Sequence, residues 1–333
     1  GRADLVAFGR QSLADPAMPK KAQEERLEDM TPCIACLQGC VANMYAGNPI
    51  CCLTNPFLGH EAEPIAKTEN PKKVMVIGGG VAGLCAAFIA KEKGHEVTLY
   101  EAGDVLGGNM RLAAYPPGKG DITNMIRSYI HRCQKDGVKI VMNCEVTPEL
   151  IKEEKPDSVI IATGSKTLIL PIEGIDNPAI IHGSDLLDGK RAAGKKVLVV
   201  GGGMVGCETA AFLGEQEHDV TVIEFRDTVG ADVIHEHRVY LMKDFEDYGI
   251  KEITGAKVCK FYEDGVEYET ADGVRHESRG YDSVILSMGF RNYNPLEEKI
   301  KDLVPETHVI GDAIRARRAL DATKEAYEVA SRL

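Results

Sequence analysis

Five of the ten cysteines lie within twenty consecutive positions of the chain. Cys33, Cys36 and Cys40 are spaced Cys-x2-Cys-x3-Cys, and Cys51 and Cys52 begin eleven residues later. Because iron–sulfur clusters are held by four thiolates, closely spaced cysteines on a loop interrupted by glycine and proline suit such a cluster. The alternatives are a structural zinc site, which usually takes two short ligand pairs well apart, and ordinary packing of thiols. Only one member of the Cys51-Cys52 pair is expected to be the fourth ligand.

A second chemical pattern, Gly-x-Gly-x-x-Gly, occurs twice, in the stretches 72–101 and 195–224, which align without a gap. The glycines of the two copies are Gly78, Gly80 and Gly83, and Gly201, Gly203 and Gly206. In each copy a glutamate, Glu101 or Glu224, lies 18 residues past the last glycine. In a dinucleotide-binding unit, such glycines let a pyrophosphate approach a helix N-terminus, and the acid accepts hydrogen bonds from ribose hydroxyls. Two such sites predict two dinucleotides that exchange electrons.

The elements that must position these glycines are indicated by the flanking apolar runs. Residues 74–77 and 197–200 are short and continuously apolar, which predicts buried strands of parallel sheets. A helix is predicted after each glycine turn, and a second strand is predicted to end at each glutamate. Gly107-Gly108 follows the first copy, and paired glycines suit backbone that passes close to a ligand.

Two further predicted strands end in residues that suit a ligand site. One ends in the sequence Ala162-Thr163-Gly164, and another, near the end of the chain, ends in Gly311-Asp312. An aspartate at the carboxyl end of a parallel strand lies where open α/β sheets bind their ligands. A helix cap is the alternative role for Asp312, because aspartate is a favoured N-cap residue.

The second glycine turn favours NAD over NADP. Glu224 suits a free 2′-hydroxyl, whereas a 2′-phosphate would meet its negative charge. Arg226, two residues later, is the residue that would accept a 2′-phosphate, so NADPH stays open while NADH is expected to be preferred. Glu208 follows the turn and either complements the helix dipole or faces the nicotinamide.

The other cysteines are predicted to be small core residues. Cys85 and Cys207 fall on the helices behind the two turns, and neither belongs to a Cys-x-x-Cys pair that would predict a redox-active disulfide. Cys133, Cys144 and Cys259 are isolated in the sequence and receive the same interpretation. The nine histidines form no set with metal-ligand spacing.

Length and composition fit a globular protein of two ordinary domains. The chain has 333 residues, of which 44% are hydrophobic and 27% are charged. The net charge of -12 argues against nucleic acid or an anionic membrane as a partner. Ten cysteines without an export signal predict a reducing, cytoplasmic location. The opening run 3–10 is strand-like without a preceding helix or cap, which predicts that the chain was cut from a longer protein.

The order of these motifs resembles the two-dinucleotide-binding flavoprotein superfamily that includes the disulfide reductases. A first nucleotide domain is interrupted after the Ala-Thr-Gly segment, and a second is inserted. The chain then passes through 281–290 to the Gly-Asp segment. The resemblance covers about 72–333 and implies an α/β fold of two Rossmann-like dinucleotide-binding domains, the second inserted in the first.

The front of the chain resembles a narrower family. Residues 3–16, ADLVAFGRQSLADP, are similar to the last strand and helix of an old-yellow-enzyme (β/α)8 barrel, and CIACLQGC at 33–40 and CLTNPFLGHE at 52–61 follow. Together they resemble the iron–sulfur flavoenzymes typified by 2,4-dienoyl-CoA reductase, enoate reductases and trimethylamine dehydrogenase. That resemblance implies a 4Fe–4S cluster on Cys33, Cys36, Cys40 and Cys52. Cys52 keeps the Cys-x-x-Asn-Pro context, which makes Cys51 an extra thiol.

The same resemblance assigns the remaining site residues. The residues implied for FAD are Gly78, Gly80, Ala82, Gly83, Glu101, Ala102, Gly107, Gly108, Asn109, Arg111, Val146, Ala162, Thr163, Gly164, Gly311 and Asp312. The residues implied for NAD are Gly201, Gly203, Met204, Val205, Gly206, Glu208, Glu224, Arg226 and Gly289. Gly9 and Arg10 correspond to the pair that holds the FMN phosphate in that family. No catalytic residue is expected in this chain, because the family carries its substrate-reducing FMN and proton donors on barrel strands that precede it.

The resemblance also implies a division of labour. The implied domains are a barrel remnant at 1–30, an iron–sulfur segment at 31–70, an FAD-binding domain at 71–190 and 280–333, and an NAD(H)-binding domain at 191–279. NADH would reduce FAD, which would supply the cluster and then an FMN on a barrel of the same polypeptide, where an enoate or enoyl-CoA C=C bond is reduced. NADH, that barrel and the small substrate are the expected partners; a homo-oligomer is compatible, and no nucleic acid or membrane is expected. The alternatives are an amine dehydrogenase of the same family that passes electrons outward to an electron-transfer partner, and a non-catalytic nucleotide-binding module.

Overall fold

The computed structural model describes residues 2–333. Gly1, the first residue of the predicted barrel remnant, lies outside the described residues. The chain divides into two compact units. Unit 1 comprises the chain through Arg111, Asp121–Ser165 and Asn292–Leu333, and unit 2 comprises Leu112–Gly120 and Lys166–Arg291.

The secondary structure alternates between strands and helices. The strands are β1 (Lys73–Ile77), β2 (Glu96–Tyr100), β3 (Lys139–Val141), β4 (Ser158–Ile161), β5 (Ser165–Thr167), β6 (Ile181–His182), β7 (Lys196–Val200), β8 (Asp219–Ile223), β9 (Lys251–Ile253), β10 (Lys257–Tyr262), β11 (Gly265–Glu269), β12 (Arg275–Ser278), β13 (Ser283–Leu286), β14 (Phe290–Asn292) and β15 (Glu306–Val309). The helices are α1 (Arg10–Ala14), α2 (Met18–Gln23), α3 (Val41–Tyr45), α4 (Val81–Glu92), α5 (Asn109–Leu112), α6 (Ile122–Lys135), α7 (Pro148–Glu154), α8 (Gly183–Leu187), α9 (Met204–Glu215), α10 (His235–Asp247), α11 (Glu297–Ile300) and α12 (Ala319–Ala330). Within residues 2–333, no helix combines the length and the apolar content needed to cross a membrane.

Unit 1 is built on a parallel sheet with the strand order β15-β4-β1-β2-β3. The last four residues of β1 are buried, as its continuous apolar run predicts. α4 follows β1 and is buried on every side from Val81 to Ala90, so it lies inside the core, with α6 and α12 packed against it. Ile77 of β1 is paired with Ile161 of β4. The register therefore brings the carboxyl ends of the strands to one edge of the sheet.

Unit 2 repeats this arrangement, except that a small antiparallel sheet replaces one helix. Its parallel sheet has the order β6-β13-β7-β8-β9, and α9 follows β7 as α4 follows β1. In unit 1 the chain crosses from the third strand of the sheet to the fourth through α7. In unit 2 the antiparallel sheet β10-β11-β12 lies between the equivalent strands, β9 and β13. The similarity between the two sequence copies therefore extends to the five-stranded parallel sheet of each unit.

The boundaries of unit 2 differ from 191 and 279, the limits expected for the nucleotide domain. Its sheet includes β13, which pairs with β7, and β6, which pairs with β13. Both strands lie outside the expected range because a short apolar run carries no local sign of the sheet that it will join. Leu112–Gly120 also belongs to unit 2, although the chain on either side of it belongs to unit 1.

The first residues differ from their expected local structure. Residues 3–8 form no strand, although their apolar composition predicted one, whereas the helix predicted after them is present as α1. A strand needs a neighbouring strand for its backbone hydrogen bonds. The side chain of Leu5 is 92% exposed, so this segment lacks the packing that would hold it in a sheet.

Candidate functional site

The first glycine turn connects β1 to α4 and requires glycine at two positions. Gly78 has a φ of +107°, and a Cβ there would overlap the carbonyl oxygen of Ala162. A Cβ on Gly83 would overlap the carbonyl oxygen of Gly78. By contrast, a Cβ on Gly80 would meet nothing within 4 Å. The turn is therefore packed against the end of β4 and its own helix, and is open where a pyrophosphate would bind.

Glu101 follows β2 and holds this turn with both carboxylate oxygens. Oε2 accepts a hydrogen bond from Gly79 N at 2.7 Å, and Oε1 accepts one from Gly103 N at 2.7 Å. The sequence predicted a ribose-binding acid, and the structure adds a role in supporting the loop. Because each carboxylate oxygen has two lone pairs, the two roles are chemically compatible.

Two residues predicted for FAD, Asn109 and Asp312, meet at Ser165. Asn109 Nδ2 donates to Ser165 Oγ at 3.2 Å, and Ser165 Oγ donates to Asp312 Oδ2 at 2.9 Å. The backbone N–H of Arg317 donates to the other Asp312 oxygen at 3.0 Å. Because other residues cap α12, the helix-cap interpretation of Asp312 is wrong.

The other residues predicted for FAD lie near the same edge of the sheet or in the core beside it. Gly107 N donates to Gly79 O at 2.8 Å, and a Cβ on Gly108 would lie 3.2 Å from the Cα of Gly80, so the glycine pair passes beside the turn. Val146 is buried in an apolar cluster of unit 1. The remaining members, in α4, in α5 or in segments that follow strands, are Ala82, Ala102, Arg111, Thr163, Gly164 and Gly311. All residues predicted for FAD belong to unit 1.

The second glycine turn has the same geometry in unit 2. Gly201 has a φ of +106°, and a Cβ there would overlap the carbonyl oxygen of Ser287. A Cβ on Gly206 would overlap the carbonyl oxygen of Gly201. Glu224 Oε2 accepts from Gly202 N at 2.6 Å, as the acid of unit 1 does from its own turn. The duplication in sequence is therefore a duplication of the hydrogen bonds as well.

A pocket of about 340 Å³ opens at the second turn, within the range of cofactor sites. The predicted residues that line it are Gly201, Gly203, Met204, Val205, Glu224, Arg226 and Gly289. No ion pair to the Arg226 guanidinium is found within residues 2–333. Phe225, also in the lining, has a side chain that is 69% exposed and suited to stack on an adenine. Phe225 was not predicted from the sequence, in which the available signal was an aromatic residue directly after the glutamate that follows the strand.

Glu208 lies in α9 and is 7% exposed. Its carboxylate forms an ion pair with Lys119, which belongs to the Leu112–Gly120 segment of unit 2. Burial of a carboxylate is costly unless it is paired, so this lysine is what makes the buried position tenable. Lys119 was not predicted from the sequence, because nothing in its glycine-rich loop indicates a partner 89 residues away. Whether Glu208 faces the nicotinamide stays a prediction.

The five clustered cysteines line one pocket in unit 1. The pKa of Cys36 is raised to about 11, mainly by burial and to a smaller extent by the neighbouring thiols of Cys52, Cys40 and Cys33. Those three thiols therefore lie close to Cys36. These are the four residues that the family resemblance assigns to a cluster.

Cys51 differs from Cys52 in what surrounds its thiol. Cys51 Sγ accepts from Asn43 Nδ2 at 3.4 Å and lies 3.6 Å from the carbonyl oxygen of Gly39. Cys52 Sγ lies 3.3 Å from Thr54 Oγ1, and Cys52 is among the thiols that raise the pKa of Cys36. This arrangement favours Cys52 as the fourth ligand, in agreement with its Asn-Pro context.

The chemistry of the cysteine pocket fits an iron–sulfur cluster, because cluster iron is held by thiolates. The described lining of the pocket offers five thiols and neither a histidine nor a carboxylate. Within residues 2–333, no three His, Cys, Asp or Glu side chains are grouped closely enough to hold a single metal ion. Arg10, the first residue of α1, lines the same pocket, and Gly9 precedes it.

Three of the remaining cysteines are core residues, as predicted. Cys85, Cys133 and Cys207 are fully buried. Burial raises the pKa of Cys133 and that of Cys207 to about 12, so both are protonated thiols at neutral pH. Cys144 and Cys259 are only partly buried, so their core interpretation holds less well.

Comparison with known proteins agrees with this geometry. A family model described as pyridine nucleotide-disulphide oxidoreductase matches residues 72–308. The chain belongs to this family. Membership implies that the chain binds FAD and NAD(H), and it confirms the expected α/β fold with Rossmann-like dinucleotide-binding domains.

Relatives match the chain from end to end. A cinnamate reductase of Clostridium sporogenes is 33% identical over 337 residues, which cover 100% of this chain and 50% of the relative. An NADH oxidase of Thermoanaerobacter brockii is 35% identical over 339 residues, which cover 99% and 52%. A solved structure of 2-naphthoyl-CoA reductase with 2-naphthoyl-CoA has a TM-score of 0.95 and 33% identity, covering 100% of this chain and 51% of that chain. The chain thus spans about half the length of the relatives it matches.

These matches confirm the resemblance expected from the motifs at both ends of the chain. They also confirm the class of enzyme, an NAD(P)H-dependent flavin oxidoreductase. Because each relative is about twice as long, the activity and the substrate of the whole protein are matters for proposal.

Proposed function

We propose that this chain is the electron-input half of an NADH-dependent flavoenzyme that reduces an activated C=C bond. The observation that carries the proposal is the glycine-turn geometry repeated in both units, because two dinucleotide sites in one chain suit hydride transfer between dinucleotides. The family match supports FAD and NAD(H) as these dinucleotides. The names of two relatives, cinnamate reductase and 2-naphthoyl-CoA reductase, support an enoate or an enoyl-CoA as the substrate of the whole enzyme.

FAD is assigned to unit 1. The amides at the start of α4 would bind its pyrophosphate, since Gly78 and Gly80 keep the turn open to close approach. Glu101 would accept from a ribose hydroxyl, and Asp312 would accept from the hydroxyls of the ribityl chain. The network of Asn109, Ser165 and Asp312 would orient that carboxylate.

NADH is assigned to the pocket of unit 2. Glu224 would accept from the adenosine ribose, and Phe225 would stack on the adenine. Arg226 is the residue that would favour NADPH. Arg226 lies after the strand and is exposed to water. We therefore expect it to influence the choice of nucleotide less than Glu224 does, which supports a preference for NADH.

The cysteine pocket is assigned to a 4Fe–4S cluster on Cys33, Cys36, Cys40 and Cys52. Arg10 lines that pocket, and with Gly9 it would serve the phosphate of an FMN held by a barrel of the same polypeptide. When bound, a flavin accepts a hydride and a cluster carries electrons singly, so the cofactors supply the redox chemistry while the chain binds and orients them. A cytoplasmic location suits this thiol-rich chain.

The test is NADH-dependent reduction of a one-electron dye by the purified chain after anaerobic reconstitution with iron, sulfide and FAD. We expect flavin absorbance and faster dye reduction with NADH than with NADPH at equal low concentration. A colourless protein that reduces no dye would contradict the proposal and favour a non-catalytic nucleotide-binding module. A chain that assembles an iron–sulfur cluster but reduces no dye with NADH or NADPH would instead favour an amine dehydrogenase, in which electrons enter from an amine and leave to an electron-transfer partner.

A further inference from the structure

A carboxylate from elsewhere in unit 2 covers the second glycine turn. Asp232 Oδ1 accepts a hydrogen bond from the backbone N–H of Met204, the first residue of α9, at 2.9 Å. Asp232 also lies near the turn itself, because a Cβ on Gly203 would be 3.5 Å from its Oδ2. Gly203 is the N-cap residue and has no side chain to make such a bond. The helix is therefore capped by a residue 28 positions away.

The first turn has no acid at the equivalent position. In unit 1 Gly107 N donates to the carbonyl of the glycine turn at 2.8 Å, and in unit 2 Gly230 N does the same at 2.7 Å. Two residues beyond these glycines stand Asn109 and Asp232. Asn109 is neutral and donates its side-chain amide to Ser165. The two turns thus share their backbone and differ in the charge placed over them.

The bond made by Asp232 is one that a bound dinucleotide would use. The N–H groups and the dipole at a helix N-terminus attract anions, and the pyrophosphate of a dinucleotide normally occupies this place in such a fold. A carboxylate and a pyrophosphate oxygen are both negatively charged acceptors, so they compete for one N–H and repel each other at contact distance. Asp232 is exposed, so its carboxylate would be solvated by water after a pyrophosphate displaces it from the Met204 amide.

We propose that Asp232 is a built-in competitor for the pyrophosphate of NADH at the second turn. Asp232 weakens the binding of NADH, so the nucleotide at the second turn can dissociate and be replaced. The first turn has no such carboxylate over it and retains its dinucleotide. The inference rests on the proposed function, in which unit 2 binds NADH. Asp232 acts on affinity through the Met204 amide and takes no part in the hydride transfer.

The test is the Asp232→Asn variant, titrated with NADH by calorimetry beside the unchanged chain. The asparagine retains an oxygen that accepts from Met204 N, so α9 keeps its cap while the negative charge is removed. We expect NADH to bind about tenfold more tightly, equivalent to about 1.4 kcal/mol. In dye reduction the KM for NADH should fall by a similar factor without a gain in kcat.

Asp227→Asn is the matched control, because it removes the same charge from the same exposed segment at a residue that does not line the pocket. Its NADH affinity should stay within about twofold of the unchanged chain, as expected for an exposed, screened charge outside the pocket lining. If Asp232→Asn leaves the affinity unchanged or weakens it, Asp232 is not a competitor and the inference is overturned. If neither the unchanged chain nor either variant binds a nicotinamide nucleotide, the proposed function fails instead. Thermal melting of each variant checks that the fold is intact, and Asp232→Ala, which also removes the charge, should tighten binding while lowering the melting temperature.

Discussion

The two glycine turns have nearly the same backbone in different surroundings. Gly78 and Gly201 have φ values of +107° and +106°, and each packs on a carbonyl oxygen at the end of a neighbouring strand. In each unit the acid after the second strand accepts a hydrogen bond from the turn, at 2.7 Å for Glu101 and at 2.6 Å for Glu224. The backbone therefore prepares both units for the same class of ligand.

The side chains around the turns differ. Behind the second turn, Cys207 Sγ donates to Gly202 O at 3.2 Å, and the equivalent residue of the first copy is Leu84. One position later the second copy carries the ion-paired Glu208, where the first has the buried Cys85. The comparison shows that the backbone of the turn suits a dinucleotide in both units. The neighbouring side chains differ, and they can change the chemistry of the bound dinucleotide and the time for which it stays bound.

The largest expected effect on cofactor binding comes from replacing a glycine by alanine in one glycine turn at a time. A methyl group on Gly83 or Gly206 would overlap a backbone carbonyl, and overpacking that backbone must absorb typically costs about 1–3 kcal/mol. Gly83→Ala should be purified without flavin, whereas Gly206→Ala should keep its flavin and lose NADH binding. Flavin absorbance and NADH titration measure the two losses. Gly120→Ala, where a Cβ meets nothing within 4 Å, is the control; loss of flavin from Gly206→Ala would show that the turns do not act independently.

The next largest effect separates the two adjacent thiols of unit 1, the unit to which we assign the cluster. Cys52→Ala should prevent assembly of the cluster on anaerobic reconstitution, because a 4Fe–4S cluster needs four thiolates. Cys51→Ala should leave the iron content unchanged, since Asn43 and Gly39 already engage that thiol. Iron per chain and visible absorbance are the readouts. The reverse result, with iron lost only from Cys51→Ala, would exchange the two assignments.

A smaller effect is expected from the two acids. Glu224→Gln keeps one oxygen to accept from Gly202 N but removes the charge that opposes a 2′-phosphate, so Arg226 becomes free to pair with it. The preference for NADH over NADPH should fall by about tenfold, equivalent to about 1.4 kcal/mol. Rates of dye reduction with each nucleotide at low concentration give the ratio. The matched variant Glu101→Gln should weaken flavin retention without changing that ratio.

A faster rate with NADPH than with NADH in the unchanged chain would reverse this assignment and make Arg226 the residue that sets specificity. An equal ratio in the unchanged chain and in Glu224→Gln would show that the acid acts only as support for the loop. Both outcomes would weaken the comparison between the two turns.

The smallest effect concerns the sensitivity of the two units to acid. Lys135, His131 and Arg26 hydrogen-bond to Asp29 in unit 1 and hold its pKa well below the ordinary value. That pKa lies below the unfolded value of about 3.9, so the stabilisation is present above this pH and is lost as the pH falls through the folded pKa. Asp29→Asn should lower the free energy of unfolding by about 1 kcal/mol at neutral pH, a typical value for an ion-pair network near the surface. Denaturant unfolding near pH 7 and near pH 3 should show that this difference shrinks in acid.

Asp219 in unit 2 supplies the control. Its side chain is 44% exposed, against 13% for Asp29, and it forms one ion pair, with Lys251. Asp219→Asn should therefore have a smaller effect at neutral pH. An equal or larger loss in Asp219→Asn would show that the convergence of charges on Asp29 adds nothing.

The sequence by itself determined both glycine turns, the strands and helices that flank them, and the acid after each second strand. These features are local: within about thirty positions the chain contains the apolar strand, the glycines that the turn requires and the buried helix. Gly78, Gly83, Gly201 and Gly206 are each explained by a carbonyl oxygen that leaves no room for a Cβ. The cysteine spacing likewise brought five thiols to one pocket.

Only the tertiary structure decided which distant side chains complete these sites. Lys119 and Glu208 are 89 positions apart, and Asp232 and Met204 are 28 apart. It also placed β6 and β13 in the second sheet. The physical reason is that ion pairs and hydrogen bonds act over a few ångströms, so their partners exist only once the fold has brought separate segments together. A local pattern specifies an element, whereas a contact between elements is specified by the packing of the whole unit.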